Sequence, residues 1–138
     1  DGGGAARAMR AALECAGMRP EEIDYINAHG TSTSLNDKYE TLAIKSVFGE
    51  KPACAVSSIK GATGHALGAA GALESIACVQ SIVSSVVPPT INYETPDPEC
   101  DLDVTPNQAR ERRISAALNC NLGFGGQNGI LIFKRFEK

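Results

Sequence analysis

The sequence predicts an α/β domain in which helices pack on a largely buried sheet. Helix and strand patterns alternate along the first 87 residues in the order α-β-α-β-α, and two further strands follow near the end. Hydrophobic residues make up 43% of the chain and charged residues 21%, which is typical of a globular core and not of disorder. A length of 138 residues is that of one domain.

The first half contains two helices, each followed by a short apolar strand. Residues 4–17 carry apolar side chains at helical spacing, and Gly17 is a typical helix stop. The runs 23–29 and 53–59 are predicted strands, and 36–48 is the second helix between them. We expect this helix to bury one apolar face. That face carries Leu35, Tyr39, Leu42, Ala43 and Val47.

Residues 65–87 predict one long helix made of small and apolar residues. It is long enough to cross a membrane. However, Glu74 and Gln80 interrupt it, and alanine and glycine contribute little to membrane transfer. A helix that is apolar on all sides is typical of the centre of a soluble core, so we predict no membrane span.

The last third begins with a long loop, because 88–112 contains five of the seven prolines. Loops of this length are usually functional or wrap a surface. The runs 114–122 and 129–136 are predicted strands, joined as a hairpin by GFGGQN.

Composition excludes several classes of function. The net charge of −3 gives no indication of binding to nucleic acid or an anionic membrane. Five cysteines show no CxxC or paired-histidine spacing, which favours reduced thiols in a cytosol-like compartment and no metal site. The start has no apolar targeting segment and no initiator Met, so we expect a piece of a longer protein.

The two histidines are the first candidates for chemistry. His29 ends the first strand, and His65 starts the predicted long helix, whose N-terminus would hold His65 unprotonated. Neutral imidazoles in such positions can donate hydrogen bonds to developing negative charge. Structural histidines with satisfied hydrogen bonds would show the same pattern, and the residues alone leave both interpretations open.

Four further features of the sequence need partners or a role. Lys60 ends a buried strand and Glu74 lies inside the apolar helix, so we expect them to form a coupled set with His65. Cys120, beside the glycine loop, is a candidate nucleophile of a Cys/His hydrolase. The glycine-rich stretches do not fit nucleotide-binding loops, so GFGG is either a tight turn or a set of N–H donors. Five basic residues predict a solvated face or an acidic partner. They are Arg110, Arg112, Arg113, Lys134 and Arg135.

Four motifs resemble a known family when taken in order. They are NAHGTST (27–33), SSIKGATGHALGAAGALES (57–75), PPTINYETPDPECDLD (88–103) and GFGGQNG (123–129). Together they resemble the C-terminal half of a β-ketoacyl-acyl-carrier-protein synthase, in particular the discrete elongating enzymes. The resemblance covers residues 1–138 and implies one half of a thiolase-like fold with layers α-β-α-β-α.

The resemblance also implies roles for individual residues. His29 and His65 would stabilise the enolate of a malonyl thioester, supported by Lys60. The N–H of Phe124 would form half of an oxyanion hole. The remaining implied roles are substrate contacts by Thr31, Thr33, Gly125 and Gly126, and support of the site, or of a monovalent cation, by Asn27 and Glu74. The family's nucleophilic cysteine lies in the other half, so we expect the 138-residue chain alone to be inactive.

The partner that the resemblance implies is acyl carrier protein, whose phosphopantetheine carries the substrates, and the complete enzyme would be a cytoplasmic or plastid homodimer. No further cofactor is expected. A ketosynthase subunit of a type II polyketide pathway shares every motif. A non-catalytic carrier-binding subunit would not require His29, Lys60 and His65. Leu122 and Gln127 depart from common family residues and leave the acyl length open.

Overall fold

The computed structural model describes residues 2–137 and has the predicted α/β class. A four-stranded sheet has the order β2-β1-β5-β6, and a two-stranded sheet pairs β3 with β4. The helices are α1 (Gly3–Ala16), α2 (Ser34–Phe48), α3 (Lys60–Thr63) and α4 (Ala70–Ser84). The strands are β1 (Tyr25–Asn27), β2 (Ala55–Ser57), β3 (Val86–Val87), β4 (Arg110–Glu111), β5 (Ala116–Leu122) and β6 (Asn128–Lys134).

The direction of the strands determines where the site is built. Strand β1 pairs in parallel with both neighbours, with Tyr25 opposite Ala55 on β2 and Ala117 on β5. Strands β5 and β6 form the predicted antiparallel hairpin, from Ala116 opposite Lys134 to Leu122 opposite Asn128. Three parallel strands therefore end at one edge of the sheet, the edge at which α/β proteins bind ligands.

Helices cover both faces of the sheet. Met9 and Leu13 of α1 and Ile44 of α2 share a core cluster with Ile26. On the opposite face Cys78 and Ile82 of α4 pack with Tyr25 and Ala117. Successive residues of a strand point to opposite faces, so Tyr25 and Asn27 of β1 lie on the α4 side and Ile26 lies on the α1–α2 side.

The first helix agrees with its prediction. It ends at Ala16, and Gly17 adopts a φ of +61°, the left-handed conformation that glycine favours. The N–H groups of Gly17 and Met18 donate to the carbonyls of Glu14 and Leu13, and so satisfy the last turn.

The predicted apolar face of α2 is largely wrong. Leu35, Tyr39 and Leu42 are exposed, whereas Ala43 is buried as predicted. The helix instead turns Glu40 inward, where its carboxylate accepts hydrogen bonds from the loop that follows β1. The polar contacts of this loop therefore set the rotation of the helix. The buried residues of α2 are Glu40, Thr41, Ala43 and Ile44.

The single long helix predicted over 65–87 is also wrong. The chain forms the short α3, which ends at Gly64 with a φ of +70°, then a 3₁₀ turn at Leu67–Ala69, and only then α4. Leu67 also has a positive φ, of +49°. His65 thus lies in a turn five residues before α4. It is not at the N-terminus of that helix, where the sequence predicts it.

The stretch Leu67–Ser84 has 18 residues and a mean hydropathy of 1.4, enough by length and composition to cross a membrane. Core helices of soluble proteins pass the same test. Here Glu74, in the middle of the stretch, is buried and ion-paired with Lys60. Outward-facing apolar residues of α4 are exposed in this domain. They are Leu73, Ile76, Val79 and Val83.

The long loop after α4 agrees with its prediction except at its two ends. There β3 and β4 pair antiparallel and form a two-stranded sheet that the sequence does not predict. Thr90 bridges Pro106 in the middle of the loop. Ion pairs Lys38–Glu99 and Lys45–Asp101 tie the loop to α2.

Candidate active site

The predicted site residues converge at the carboxyl edge of the three parallel strands. His29 follows β1 by two residues, and Lys60 follows β2 by three. The glycine-rich turn Phe124–Gly126 follows β5. Residues distant in sequence are brought together because the strands that precede them are neighbours in the sheet.

The two histidine rings are in direct contact. Their centroids lie 5.4 Å apart and their planes are at 84°, an edge-to-face arrangement. His29 is buried and His65 is exposed. The pair therefore presents one imidazole from the protein interior and one from its surface.

The environment of His29 keeps its ring neutral. Burial, and after it the charges of Lys60 and His65, lower its pKa to about 4. Its Nδ1 atom is buried and finds no hydrogen-bond partner within residues 2–137. A neutral imidazole can donate one hydrogen bond without bringing a positive charge into the site.

The turn around His65 selects its tautomer. The N–H of Leu67 donates to Nδ1 of His65 at 3.2 Å. An accepting Nδ1 places the ring proton on Nε2, which is left as a donor. The sequence predicts that a helix N-terminus acts on His65, but in the structure this backbone N–H group does so.

We expect NMR to show that His29 titrates with a midpoint near pH 4. Burial and two positive neighbours disfavour the imidazolium, so the ring stays neutral from pH 8 down to about 5. In the unfolded chain the same ring titrates near 6.5. The unfolded state binds more protons between these values, so His29 lowers stability as the pH falls from 6.5 to 4. A midpoint above 6 for the His29 ring proton signal would contradict this.

Lys60 and Glu74 form the buried ion pair that the sequence predicts. Their side chains are 5% and 2% exposed, and Lys60 Nζ donates to Glu74 Oε1. The charge of Lys60 lowers the pKa of His29, whereas the sequence predicts that the pair is coupled to His65. Glu74 Oε2 is buried without a partner among the described residues.

Glu40 is a buried residue of the site that the sequence does not reveal. Its Oε1 accepts the N–H of His29 at 2.7 Å, and its Oε2 accepts the N–H of Gly30 at 2.9 Å and Nδ2 of Asn36 at 3.2 Å. Burial raises the pKa of Glu40, and these hydrogen bonds oppose the rise. A glutamate among charged helix residues carries no sequence signal of burial, so only the fold identifies it.

The threonines of the loop that joins β1 to α2 face each other near the surface. Thr31 Oγ1 and Thr33 Oγ1 are 3.0 Å apart, and Thr33 is exposed. Between them Ser32 has a φ of +58°, and its N–H donates to Asp37 at 3.2 Å. The loop is thus held in a defined shape that presents two hydroxyls beside His29.

The glycine-rich turn after β5 is open to solvent. Gly125 and Gly126 have φ of +75° and +79°, the left-handed conformation predicted for a tight turn. The Gly123 N–H donates to the Gln127 carbonyl at 2.6 Å and closes the turn. Phe124 is 99% exposed. The turn therefore offers a large apolar ring at the edge of the sheet.

Cys120 does not have the environment of a nucleophile. It is fully buried, and burial, with the charge of Glu40 as the next cause, raises its pKa well above the ordinary value. Thiolates form where positive charge and solvent access favour them, so this thiol stays protonated. Within residues 2–137 no cluster of three or more His, Cys, Asp or Glu side chains could hold a metal ion.

The basic residues lie at the opposite end of the sheet. Arg112 and Arg113 precede β5, and Lys134 and Arg135 end or follow β6, so they sit away from the edge with the histidines. Arg135 donates to backbone carbonyls, and Arg110 pairs with Asp103. Their placement favours the solvated-face interpretation over a docking role for a partner that serves the histidines.

Comparison with known proteins places these features in a family. Residues 1–94 match the family model described as the β-ketoacyl synthase C-terminal domain. The chain is 51% identical over 138 residues to 3-oxoacyl-[acyl-carrier-protein] synthase 2 of Staphylococcus aureus (strain COL), which covers 99% of this chain and 33% of that protein. The chain thus spans about a third of the length of this relative.

Solved structures are similar throughout the chain. The ishigamide ketosynthase/chain length factor superposes with a TM-score of 0.96 at 44% identity, over 99% of this chain and 34% of that one. A type II polyketide ketosynthase solved in complex with its acyl carrier protein superposes with a TM-score of 0.93 at 42% identity, over 99% and 34%. These matches confirm the thiolase-like fold class that the motifs predict.

Proposed function

Since the chain belongs to the β-ketoacyl synthase family and matches the C-terminal domain of that family, we propose that it supplies the decarboxylation site of a 3-oxoacyl-[acyl-carrier-protein] synthase. The complete enzyme would extend fatty acyl chains by decarboxylative Claisen condensation. The observation that supports this most strongly is the contact between a buried, neutral His29 and His65 at the edge of the sheet.

The proposed step breaks the bond between the malonyl methylene and its carboxylate. Carbon dioxide leaves, and the electron pair passes into the thioester, where negative charge gathers on the carbonyl oxygen. Two neutral imidazole donors directed at that oxygen stabilise the enolate without protonating it. The Leu67 contact supports this role for His65, because it leaves the Nε2 proton free to donate.

Lys60 would act through its charge. It is buried beside Glu74 and contributes to the low pKa of His29, so it keeps that ring neutral and adds a positive potential near the developing enolate. Glu74 in turn stabilises the buried ammonium of Lys60.

The two surface loops would hold the substrates. We propose that the Phe124 N–H donates to the acyl thioester carbonyl when the enolate attacks it, with Gly125 and Gly126 allowing close approach of the backbone. The Phe124 ring would gate the acyl pocket. The hydroxyls of Thr31 and Thr33 would contact the phosphopantetheine arm.

The acyl-accepting cysteine is proposed to come from another part of the full-length protein. Of the five cysteines here, Cys120 is the one beside the site, and it is buried and protonated. The same part of the protein would cover the exposed apolar residues of α4, because a contiguous exposed apolar surface usually marks an interface.

Acyl carrier protein is the proposed donor of both substrates, and a cytoplasmic or plastid homodimer is the proposed assembly. A monovalent cation is proposed beside Asn27 and Glu74. Asn27 Oδ1 and Glu74 Oε2 are buried without partners among the described residues. Asn27 Nδ2 donates to the Tyr25 hydroxyl, and the charge of Glu74 contributes to raising the pKa of Tyr25. Oxygen atoms of this kind suit a hard cation, which would balance charge in the site.

A type II polyketide ketosynthase is the second candidate, favoured by the likeness to such a ketosynthase in complex with its acyl carrier protein. Burial of Cys120 disfavours a Cys/His hydrolase, and the paired histidines disfavour a non-catalytic subunit.

Assay of the full-length protein tests the proposal. With malonyl-acyl carrier protein and a saturated acyl primer, we expect release of carbon dioxide and a product longer by two carbons. A single condensation that stops at the β-ketoacyl product supports fatty acid synthesis, in which separate reducing enzymes remove the β-keto group before the next extension. Repeated condensation without reduction supports the polyketide alternative. Absence of carbon dioxide release would overturn both.

A further inference from the structure

We propose that Ser58 is a positioning residue for the decarboxylation site, one that holds the Gly30 peptide so that His29 keeps its orientation. This inference rests on the proposed function. Ser58 does not touch the reacting atoms in this scheme. It acts on His29 through the backbone of the loop that carries it.

Two N–H groups of the loop are held by a carboxylate. Glu40 accepts the N–H groups of both His29 and Gly30, at 2.7 and 2.9 Å. Two N–H groups on the two oxygens of one buried carboxylate fix the two peptide planes that flank His29.

The carbonyl of Gly30 is held by the Ser58 hydroxyl. Ser58 Oγ donates to the carbonyl of Gly30 at 3.0 Å. The same oxygen receives the N–H of Lys60 at 3.4 Å, and the N–H of Ser58 donates to Thr90 Oγ1 at 3.0 Å. The buried Ser58 side chain therefore joins the His29 loop to the Lys60 turn, and the main-chain N–H of the same residue joins them to the long proline-rich loop.

The contact requires an unusually close approach. Gly30 has a φ of +43°, and a Cβ built on it would lie 2.5 Å from Ser58 Cβ. Only glycine in this conformation lets the carbonyl reach the serine hydroxyl. The backbone at Gly30 is thus shaped around Ser58.

Apart from this close approach to Ser58, the loop borders a cavity. Gly30 and Ser58 line a cavity of about 580 Å³, together with Thr90 and Tyr93 of the long loop. A loop beside a cavity has few van der Waals contacts to restrain it, so its polar contacts determine its position. Loss of the Ser58 hydroxyl would free the Gly30 carbonyl to move.

The test compares Ser58→Ala with wild type in malonyl-acyl carrier protein decarboxylation by the full-length protein. We expect kcat to fall about 10- to 100-fold, the scale expected when a catalytic group is misplaced by about 1 Å. KM should change less than about threefold, because substrate contacts are untouched. Ser58→Cys, similar in size but a weaker donor, should lie between the two.

Ser81→Ala is the matched control. It removes another buried serine hydroxyl, one that bonds to the Ala77 carbonyl within α4 and lies far along that helix from the site. We expect it to keep the wild-type kcat and KM. The NMR signal of the His29 ring should shift in Ser58→Ala and stay unchanged in Ser81→Ala.

A wild-type kcat in Ser58→Ala would overturn the inference, as would an equal loss in Ser81→Ala. If Ser58→Ala fails to fold, Ser58→Cys takes its place, and an unchanged kcat there has the same meaning. A wild-type protein that releases no carbon dioxide would instead overturn the proposed function, so the two failures are distinguishable.

Discussion

Replacement of His29 by alanine in the full-length protein is expected to lower the rate of malonyl thioester decarboxylation about 10²- to 10³-fold. The ring is buried and neutral, so it serves as a fixed donor that needs no reorganisation as charge develops on the enolate oxygen. The measurement is carbon dioxide release at saturating malonyl-acyl carrier protein, with thermal unfolding as the check on folding.

The neighbouring His65 provides the internal comparison. His65→Ala should cause a loss of similar size, because both rings would donate to the same oxygen. The double variant should lose less than the product of the two single losses, since groups that act as a unit are not additive. A folded His29→Ala protein that keeps more than a third of the wild-type rate would contradict the assignment.

Replacement of Lys60 by methionine is expected to lower the free energy of unfolding by about 3–5 kcal/mol. The change leaves the Glu74 carboxylate buried and uncompensated, with one oxygen already lacking a partner among the described residues. Denaturant unfolding followed by circular dichroism measures the loss.

The double variant Lys60→Met/Glu74→Leu separates stability from chemistry. Replacing a buried ion pair by apolar residues of similar size is often neutral for stability, so we expect most of the lost free energy to return. Decarboxylation should stay low, because the positive charge beside His29 is still absent. A Lys60→Met protein within about 1 kcal/mol of wild type would show that the pair is not buried as the structure places it.

The sequence by itself determined most of the elements and the edge at which they meet, but not the break before α4 or the pairing of β3 with β4. Apolar runs of strand length alternate with helical patterns, and His29 and Lys60 directly follow two of those runs. Parallel strands end at a common edge, so this local pattern already predicts that the motifs converge. The hairpin of β5 and β6 could be predicted for the same reason, since its turn carries the glycines that positive φ requires.

Only the tertiary structure decided how the site residues are held. Nothing local marks Glu40 as buried, because its inward rotation depends on N–H groups supplied by a loop ten residues earlier. The turn that selects the His65 tautomer lies in a stretch of alanine, glycine and leucine, whose apolar pattern does not show where the helix begins. Contacts such as that of Ser58 with Gly30, 28 residues apart, form only when separate strands pair, and periodicity along one segment carries no information about them.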